Sequence, residues 1–240
     1  GDANDYVGKG MNGGRIIIHN SADYAQKKEP SILIGNTALY GATGGELYVA
    51  GKAGERFAVR NSGASAVIEG AGDHCCEYMT GGKVVILGST GRNIGAGMTG
   101  GIAFIIDENN DLSNKVNKEI VSIHEITSSK QENILLEIIR EYQAKTNSLK
   151  AAKIIENWSH FKSSPQGQSR IKSIISAAAA VGSLEEYYCP RLRIMSPGMT
   201  LHNIETTSNH CYLTPGYPHL IQKVRSNFSS QWAQSFQSPL

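Results

Sequence analysis

Several things are scarce in this 240-residue chain, and each scarcity excludes a class of protein. Cysteine occurs four times, too few for a disulfide scaffold at this length, and Cys75 and Cys76 are adjacent, a spacing that strains a disulfide. That usage fits a reducing, intracellular compartment. No cysteine pair stands at C-x-x-C spacing with histidines at zinc-finger distance. No apolar run approaches the roughly 18 residues of a membrane helix, the longest being the alanine-rich stretch 174–181. Charge of one sign is not in excess either: the formal net charge is +2, which gives no basis for a nucleic-acid binder. The opening carries no charged and apolar leader and begins on Gly1 rather than Met, which reads as a piece of a longer polypeptide. With 40% apolar residues, the chain can bury a sizeable core.

Proline is nearly missing before residue 164, where Pro30 stands alone, and glycine is missing from 102 to 166. Conversely, 22 of the 26 glycines lie between Gly1 and Gly101, and six of the seven prolines follow residue 164. These shifts divide the chain into three zones, 1–107, 108–162 and 163–240.

The first zone repeats. Short β-branched or aromatic runs recur at 15–19, 32–35, 46–51, 66–70, 83–88 and 102–107, each bordered by glycine. The residues that close the last four, Gly51, Gly70, Gly88 and Asp107, are spaced by 19, 18 and 19, and so are the turn glycines Gly44, Gly63, Gly81 and Gly100. A period near 19 with four to six strand residues is too short for a propeller blade, a helical hairpin or a βαβ unit. It suits one coil of a parallel β-solenoid, where coils stack at roughly 4.8 Å and equivalent positions form ladders. Ile17, Val49, Val67, Val85 and Phe104 are expected to stack as the core. The pairs Gly13-Gly14, Gly44-Gly45, Gly81-Gly82 and Gly100-Gly101 are expected, with Gly63, as structural turn glycines at the corners. The charged stretch 20–31, with Pro30, is expected as a surface loop between coils.

Two stretches match G-x-G-x-x-G, at Gly8-Gly10-Gly13 and Gly95-Gly97-Gly100. A dinucleotide site needs that loop to open a helix, whose N-terminus holds the pyrophosphate. Both matches run into apolar β-type sequence instead, which argues for solenoid corners.

At these residues the sequence resembles a known family. The segments GDANDYVGKGMNGG at 1–14, GNTALYGATGGELYVAGKAGERFAVRNSGA at 35–64, GDHCCEYMTGG at 72–82 and GRNIGAGMTGG at 91–101 are similar to the C-terminal GXGXG domain of the glutamate synthase large subunit, over about 1–162. The resemblance implies a right-handed parallel β-helix. It also implies a parent enzyme that takes the amide nitrogen of glutamine and, with reducing equivalents, converts 2-oxoglutarate to glutamate. In that family an amidotransferase domain and an FMN barrel with an iron–sulfur cluster do the chemistry; the β-helix packs against them as a scaffold. No catalytic, cofactor-binding or metal-binding residue is therefore expected here, and the fragment alone is expected to be inactive. The implied partners are the amidotransferase and FMN-barrel domains, with ferredoxin reached through the parent. GDHCCEYMTGG and the segment 115–126 lean to the ferredoxin-dependent form, which implies a plastid stroma or a bacterial, cyanobacterial cytoplasm. The competing reading is a free-standing β-solenoid interaction or assembly module, since the motif also recurs in a subunit of formylmethanofuran dehydrogenase.

His74, Cys75 and Cys76 form the most chemical cluster in the chain. Strand alternation would place one cysteine in the core and the other outside with His74. Glu55, Arg56, Arg60, Asp73, Glu77 and Arg92 punctuate the turns; gathered on one face they argue for contact between domains, scattered they argue for solvation. In the second zone, Ile134, Leu135, Ile138, Ile139 and Tyr142, then Ala151, Ile154, Ile155 and Trp158, recur at helical spacing. Two covering helices are expected, over 131–145 and 148–159, with Asn147 or Ser148 as N-cap.

From residue 163 the resemblance stops. The last zone holds 13 serines and a 2:1 excess of basic over acidic residues, which supports no defined core, and the pattern predicts one short helix over 169–181. Three readings stand: a lineage-specific extension, a small basic arm, or translated sequence beyond a frameshift or misplaced gene boundary, which the abrupt break favours. Cys189, Cys211, His202, His210 and His219 match no structural-zinc spacing.

Overall fold

The computed structural model describes residues 1–20, 30–126, 128–162 and 170–176, and the backbone of 204–207 and 210–213. The chain divides into two compact units, Gly1–Val181 and Gly182–Leu240, each described by itself.

In the first unit the glycine-bounded runs become strands β1 (Asn12–Ile18), β2 (Ile32–Ile34), β3 (Gly44–Ala53), β4 (Ser62–Gly70), β5 (Thr80–Ile86) and β6 (Gly100–Ile106). They pair in parallel in the order β1-β3-β4-β5-β6, with β2 beside β3. Parallel pairing between successive strands requires each connection to travel around a coil, which is the β-solenoid that the 19-residue period calls for.

Register fixes the core. Ile18, Val49, Ile68, Ile86 and Ile105 form one row across the sheet, and Ile16, Leu47, Ala66, Val84 and Ala103 another. Both rows face inward, against Leu39, Phe57, Cys75, Met79, Ile94 and Met98 from the turns opposite. Of the expected core set, Val49 belongs here. Ile17, Val67, Val85 and Phe104 belong to the row between, on the other face of the sheet, with Tyr48. The spacing repeats identically for either choice, so it fixes which residues align and leaves the facing open by one residue, which exchanges the two faces.

That outer face is covered. Strand β7 (Val121–Glu125) precedes three helices, α1 (Ser129–Thr146), α2 (Leu149–Glu156) and α3 (Trp158–Lys162). Helix α1 packs on β1, β3 and β4, where the Tyr142 and Tyr48 rings meet edge to face at 6.0 Å. Arg15 clamps the same place, bonded to Glu46 and, at 2.8 Å, to Glu141. Asn147 ends α1 in left-handed conformation (φ 55°), and Ser148 caps α2 by accepting the Ala151 amide at 3.0 Å. The second expected helix is broken at Asn157, and Glu132 ties its last turn back to α1 by accepting from Trp158 Nε1 (2.8 Å) and Lys162 Nζ (2.6 Å).

The last zone departs from expectation at 171–176, where the predicted helix is strand β8 (Ile171–Ser176). It enters antiparallel between β6 and β7, pairing Ile105 with Lys172 and Ile123 with Ile174. An unpaired edge of β6 offers a full row of backbone partners and a place to bury Ile171, Ile174 and Ile175, which outweighs a marginal helix propensity. The second unit contributes a two-stranded antiparallel sheet, β9 (Ile204–Thr207) with β10 (His210–Leu213).

Candidate functional site: the stacked turns

Opposite the sheet, each coil closes through a turn that carries polar and charged side chains. These turns alternate left-handed with right-handed residues. The left-handed positions run Tyr6, Gly8 and Gly10; Thr37, Leu39 and Gly41; Arg56, Ala58 and Arg60; His74, Cys76 and Tyr78; Asn93, Gly95 and Gly97, with φ between 52° and 67°. Glycine takes this conformation freely, whereas a residue with a Cβ pays roughly 1–2 kcal/mol.

Alternation aims the amides along the solenoid axis. Thr37 N–H donates to the Glu55 carbonyl (2.8 Å) and Gly41 N–H to Val59 (2.9 Å) on the next coil, while Leu39 N–H donates back to Val7 (2.7 Å). Arg56, Arg60 and Ala58 repeat the pattern toward Asp73, Glu77 and Ala38. So do His74, Tyr78 and Cys76 toward Arg92, Ala96 and Phe57. Stacked turns are thereby joined as firmly as strands.

A second ladder lies beside the first. Asp5 Oδ1 accepts the Asn36 amide (2.7 Å), Asn36 Oδ1 the Glu55 amide (2.8 Å) and Asp73 Oδ1 the Arg92 amide (2.9 Å). Just ahead of these residues stand Gly35, Gly54, Gly72 and Gly91, where an added Cβ would lie within 3.0 Å of the coil below. Sequence reading missed this ladder, although its spacing of 19, 18 and 19 is visible in the chain.

The corner glycines sit at the other end of each turn. Gly14, Gly45, Gly82 and Gly101 are left-handed, while Gly44, Gly81 and Gly100 have a carbonyl of the previous coil, from Asn12, Ser62 or Thr80, within 3.0 Å of where a Cβ would stand. Gly13 has open space around it, and Gly63 lies in β4, its amide 3.3 Å from Asn61 Oδ1.

Glu55, Arg56, Arg60, Asp73, Glu77 and Arg92 all fall on three successive turns of this one stack. Asp73 holds Arg92 at 2.9 Å, and the Arg92 amide and guanidinium keep its carboxyl below the usual carboxylate range. His74 Nδ1 lies 2.7 Å from Glu77. Arg56 and Arg60 are exposed and have no ion-pair partner among the described residues. Cys75 and Cys76 do not alternate as expected: both are buried in the core, because residue 76 occupies a left-handed position that turns its side chain inward with its neighbour's. The contact with Cys75, with burial, pushes the Cys76 thiol well above its ordinary value.

A phosphate at the glycine-rich turns would take free amides; Gly10 N–H is bonded to the Tyr40 carbonyl (2.8 Å) and Gly95 N–H to Cys75 (2.9 Å), so those two are not available. After Gly101 the chain continues as β6 with no helix. An iron–sulfur cluster needs several thiolates; among the described residues the cysteines are the two buried neighbours, and no three His, Cys, Asp or Glu side chains gather. Cys189, His202 and His219 lie outside the described residues, and His210 and Cys211 are known only as backbone of β10.

One buried polar cluster escaped sequence reading. Glu69, 6% exposed, receives the hydroxyls of Ser148 and Tyr142 (3.1 Å); the Tyr142 oxygen also lies 2.9 Å from the Val49 carbonyl. Burial and the Glu69 charge raise the Tyr142 phenol well above its ordinary value. The cluster bolts α1 and α2 to the sheet.

Fold and stacked turns together define a class, the parallel β-solenoid whose turns run on alternating left-handed residues. Residues 1–165 match the GXGXG motif family, and the chain belongs to that family. It is 59% identical over 163 residues to ferredoxin-dependent glutamate synthase 2 of Synechocystis, covering 67% of this chain and 10% of that protein. It is 58% identical over 161 residues to the chloroplastic ferredoxin-dependent glutamate synthase 2 of Arabidopsis thaliana, again 67% and 10%. Against the NADH glutamate synthase of Schizosaccharomyces pombe it is 52% identical over 158 residues, 66% of this chain and 8% of that protein. The chain thus spans about a tenth of the length of the curated relatives it matches.

Proposed function

We propose that this chain is the scaffold domain of a glutamate synthase, the enzyme that makes two glutamates from glutamine, 2-oxoglutarate and a reductant, with ferredoxin as the reductant. The observation that carries the reading is the gathering of six charged residues on one stack of turns, beside amides that are already bonded within the fold. Such a surface offers charged side chains to a neighbour, while the amides of Arg56, Arg60, His74 and Tyr78 are already bonded within the fold. Its role is mechanical: a stack of coils that holds the amidotransferase and FMN-barrel domains in fixed relation. Flavin and iron–sulfur cluster belong to those domains, and glutaminase chemistry to the first of them. The plastid and cyanobacterial relatives support a plastid stroma or a cyanobacterial cytoplasm; among the described residues no helix is long and apolar enough to cross a membrane.

The test is direct. The 240-residue chain, given glutamine, 2-oxoglutarate and reduced ferredoxin, is expected to release no ammonia and form no glutamate, and titration with FMN is expected to leave flavin fluorescence unquenched. Turnover, or saturable flavin quenching, by the chain alone would overturn the scaffold role.

A further inference from the structure

Arg56 and Arg60 leave a single turn, separated by the buried Phe57, Ala58 and Val59, and both are exposed. Each sits in left-handed backbone, φ 59° and 56°. At the equivalent positions the other coils carry Tyr6, Thr37, His74 and Asn93 in the first column and Gly10, Gly41, Tyr78 and Gly97 in the second, where glycine, which tolerates this conformation best, predominates. Several other side chains at strained positions of the stack have partners within the fold. Leu39, Ala58 and Cys76 fill the core, His74 meets Glu77, and the Tyr78 ring lies against Gly97. Among the described residues the two arginines fill no core and make no ion pair, so no contact there offsets their strain. Beside Arg60 on the preceding coil is Gly41, where an added Cβ would find open space. Neighbouring acids are largely spent: Asp73 on Arg92, Glu77 on His74, Asp5 on the Asn36 amide. Glu55 lies on the same turn, exposed like the two arginines.

Resting on the scaffold reading above, we infer that Arg56 and Arg60 form a two-pronged clamp for a carboxylate-bearing segment of another domain of the same synthase polypeptide. Guanidinium groups pair with carboxylates through two parallel hydrogen bonds, and a rigid turn presents both at little further entropic loss. About nine-tenths of the length of the relatives lies outside this domain, so the acid has ample polypeptide to come from. A second copy of the chain and a free small anion are the occupants that the test must separate from it.

Residues 1–165 replace the matching segment of the full-length Synechocystis relative. Phenylglyoxal, which modifies accessible guanidinium groups, is applied to the free 240-residue chain and to this chimera, and labelling is read by mass spectrometry. Arg56 and Arg60 are expected to label readily in the free chain and about tenfold more slowly in the chimera, the factor for a contact worth about 1.4 kcal/mol. In an R56K/R60K chimera, a water-soluble carbodiimide is expected to link an amine introduced at either position to an Asp or Glu outside residues 1–165. Equal labelling in both proteins overturns the clamp, as do links confined to Glu55 or Glu77 or running between two copies. Nitration of Tyr78, on the adjoining turn, separates the two readings: Tyr78 shielded while both arginines stay reactive leaves the scaffold standing without the clamp, and all three equally reactive defeats both. On the free chain, a glutamate-rich decapeptide is expected to slow labelling of the two arginines where inorganic phosphate at equal ionic strength does not. Failure of the peptide to protect, or equal protection by phosphate, overturns the clamp without recourse to the chimera.

Discussion

An added methyl group at Gly91 would stand 2.5 Å from the Asp73 nitrogen and 2.7 Å from its Cα, against backbone that the neighbouring coil holds in place. At Gly41 the same group would meet nothing within 4 Å, but the backbone there is left-handed, φ +62°. Gly91→Ala is therefore expected to lower stability by about 1–3 kcal/mol through crowding, and Gly41→Ala by about 1–2 kcal/mol through conformation alone. Asparagine separates the causes, since it accepts left-handed backbone but needs room. Urea unfolding should show Gly41→Asn recovering part of the loss and Gly91→Asn recovering none. A Gly91→Asn protein as stable as the parent would mean that the coils are not packed as tightly as described.

At the scale of elements, the helical layer hangs on Glu69. Ser148 serves this carboxylate and the Ala151 amide together, so Ser148→Ala removes an N-cap as well as a hydrogen bond and is expected to cost about 1–2 kcal/mol. Tyr142→Phe is expected to cost about 1–3 kcal/mol, because it leaves polar groups underneath α1 short of a donor. Both variants act on one oxygen, so the double variant should depart from the sum by more than about 0.5 kcal/mol in chemical denaturation. Additive losses would mean that the two hydroxyls act independently. None of this was legible in the chain, since Glu69 stands 73 and 79 residues from its partners and nothing in the run at 66–70 points to them. Periodic features were legible: the parallel pairing of the glycine-bounded runs and both apolar helix stripes follow from spacing, although the expected core set joined Val49 to Val67, one residue out of register. The facing of those runs was not, because Ile17 and Ile18 are chemically alike and only the helix above one face distinguishes them. Nor was the inward turn of Cys76 legible, since alternating handedness defeats the strand rule in a segment with no glycine to announce it. Strand β8 was hidden for another reason, as its partner edges come from residues far back in the chain.

For the molecule as a whole, acid is the natural stress. Asp73 is held below its ordinary range by the Arg92 amide and guanidinium, and Glu132 by Lys162 first and then Trp158. A carboxyl whose folded value is depressed makes the unfolded chain bind more protons, so its contribution is complete above the unfolded value near 4 and is lost as the pH falls through the folded one. Stability measured by denaturant at a series of pH values should hold near neutrality and decline below about pH 4. Asp73→Asn and Glu132→Gln should each lower the neutral plateau and flatten that decline. An unchanged slope in both variants would place the acid sensitivity in other carboxyls.

Because amides of the stacked turns point up and down the axis, every coil presents the next with the same pattern of donors and acceptors that it received. Length in such a molecule is quantised. Gain or loss of a whole coil of 18 or 19 residues leaves each ladder intact and moves whatever is fixed to the two ends by roughly 4.8 Å, whereas a single inserted residue throws every row beyond it onto the wrong face. Such a molecule is a ruler with one graduation per coil.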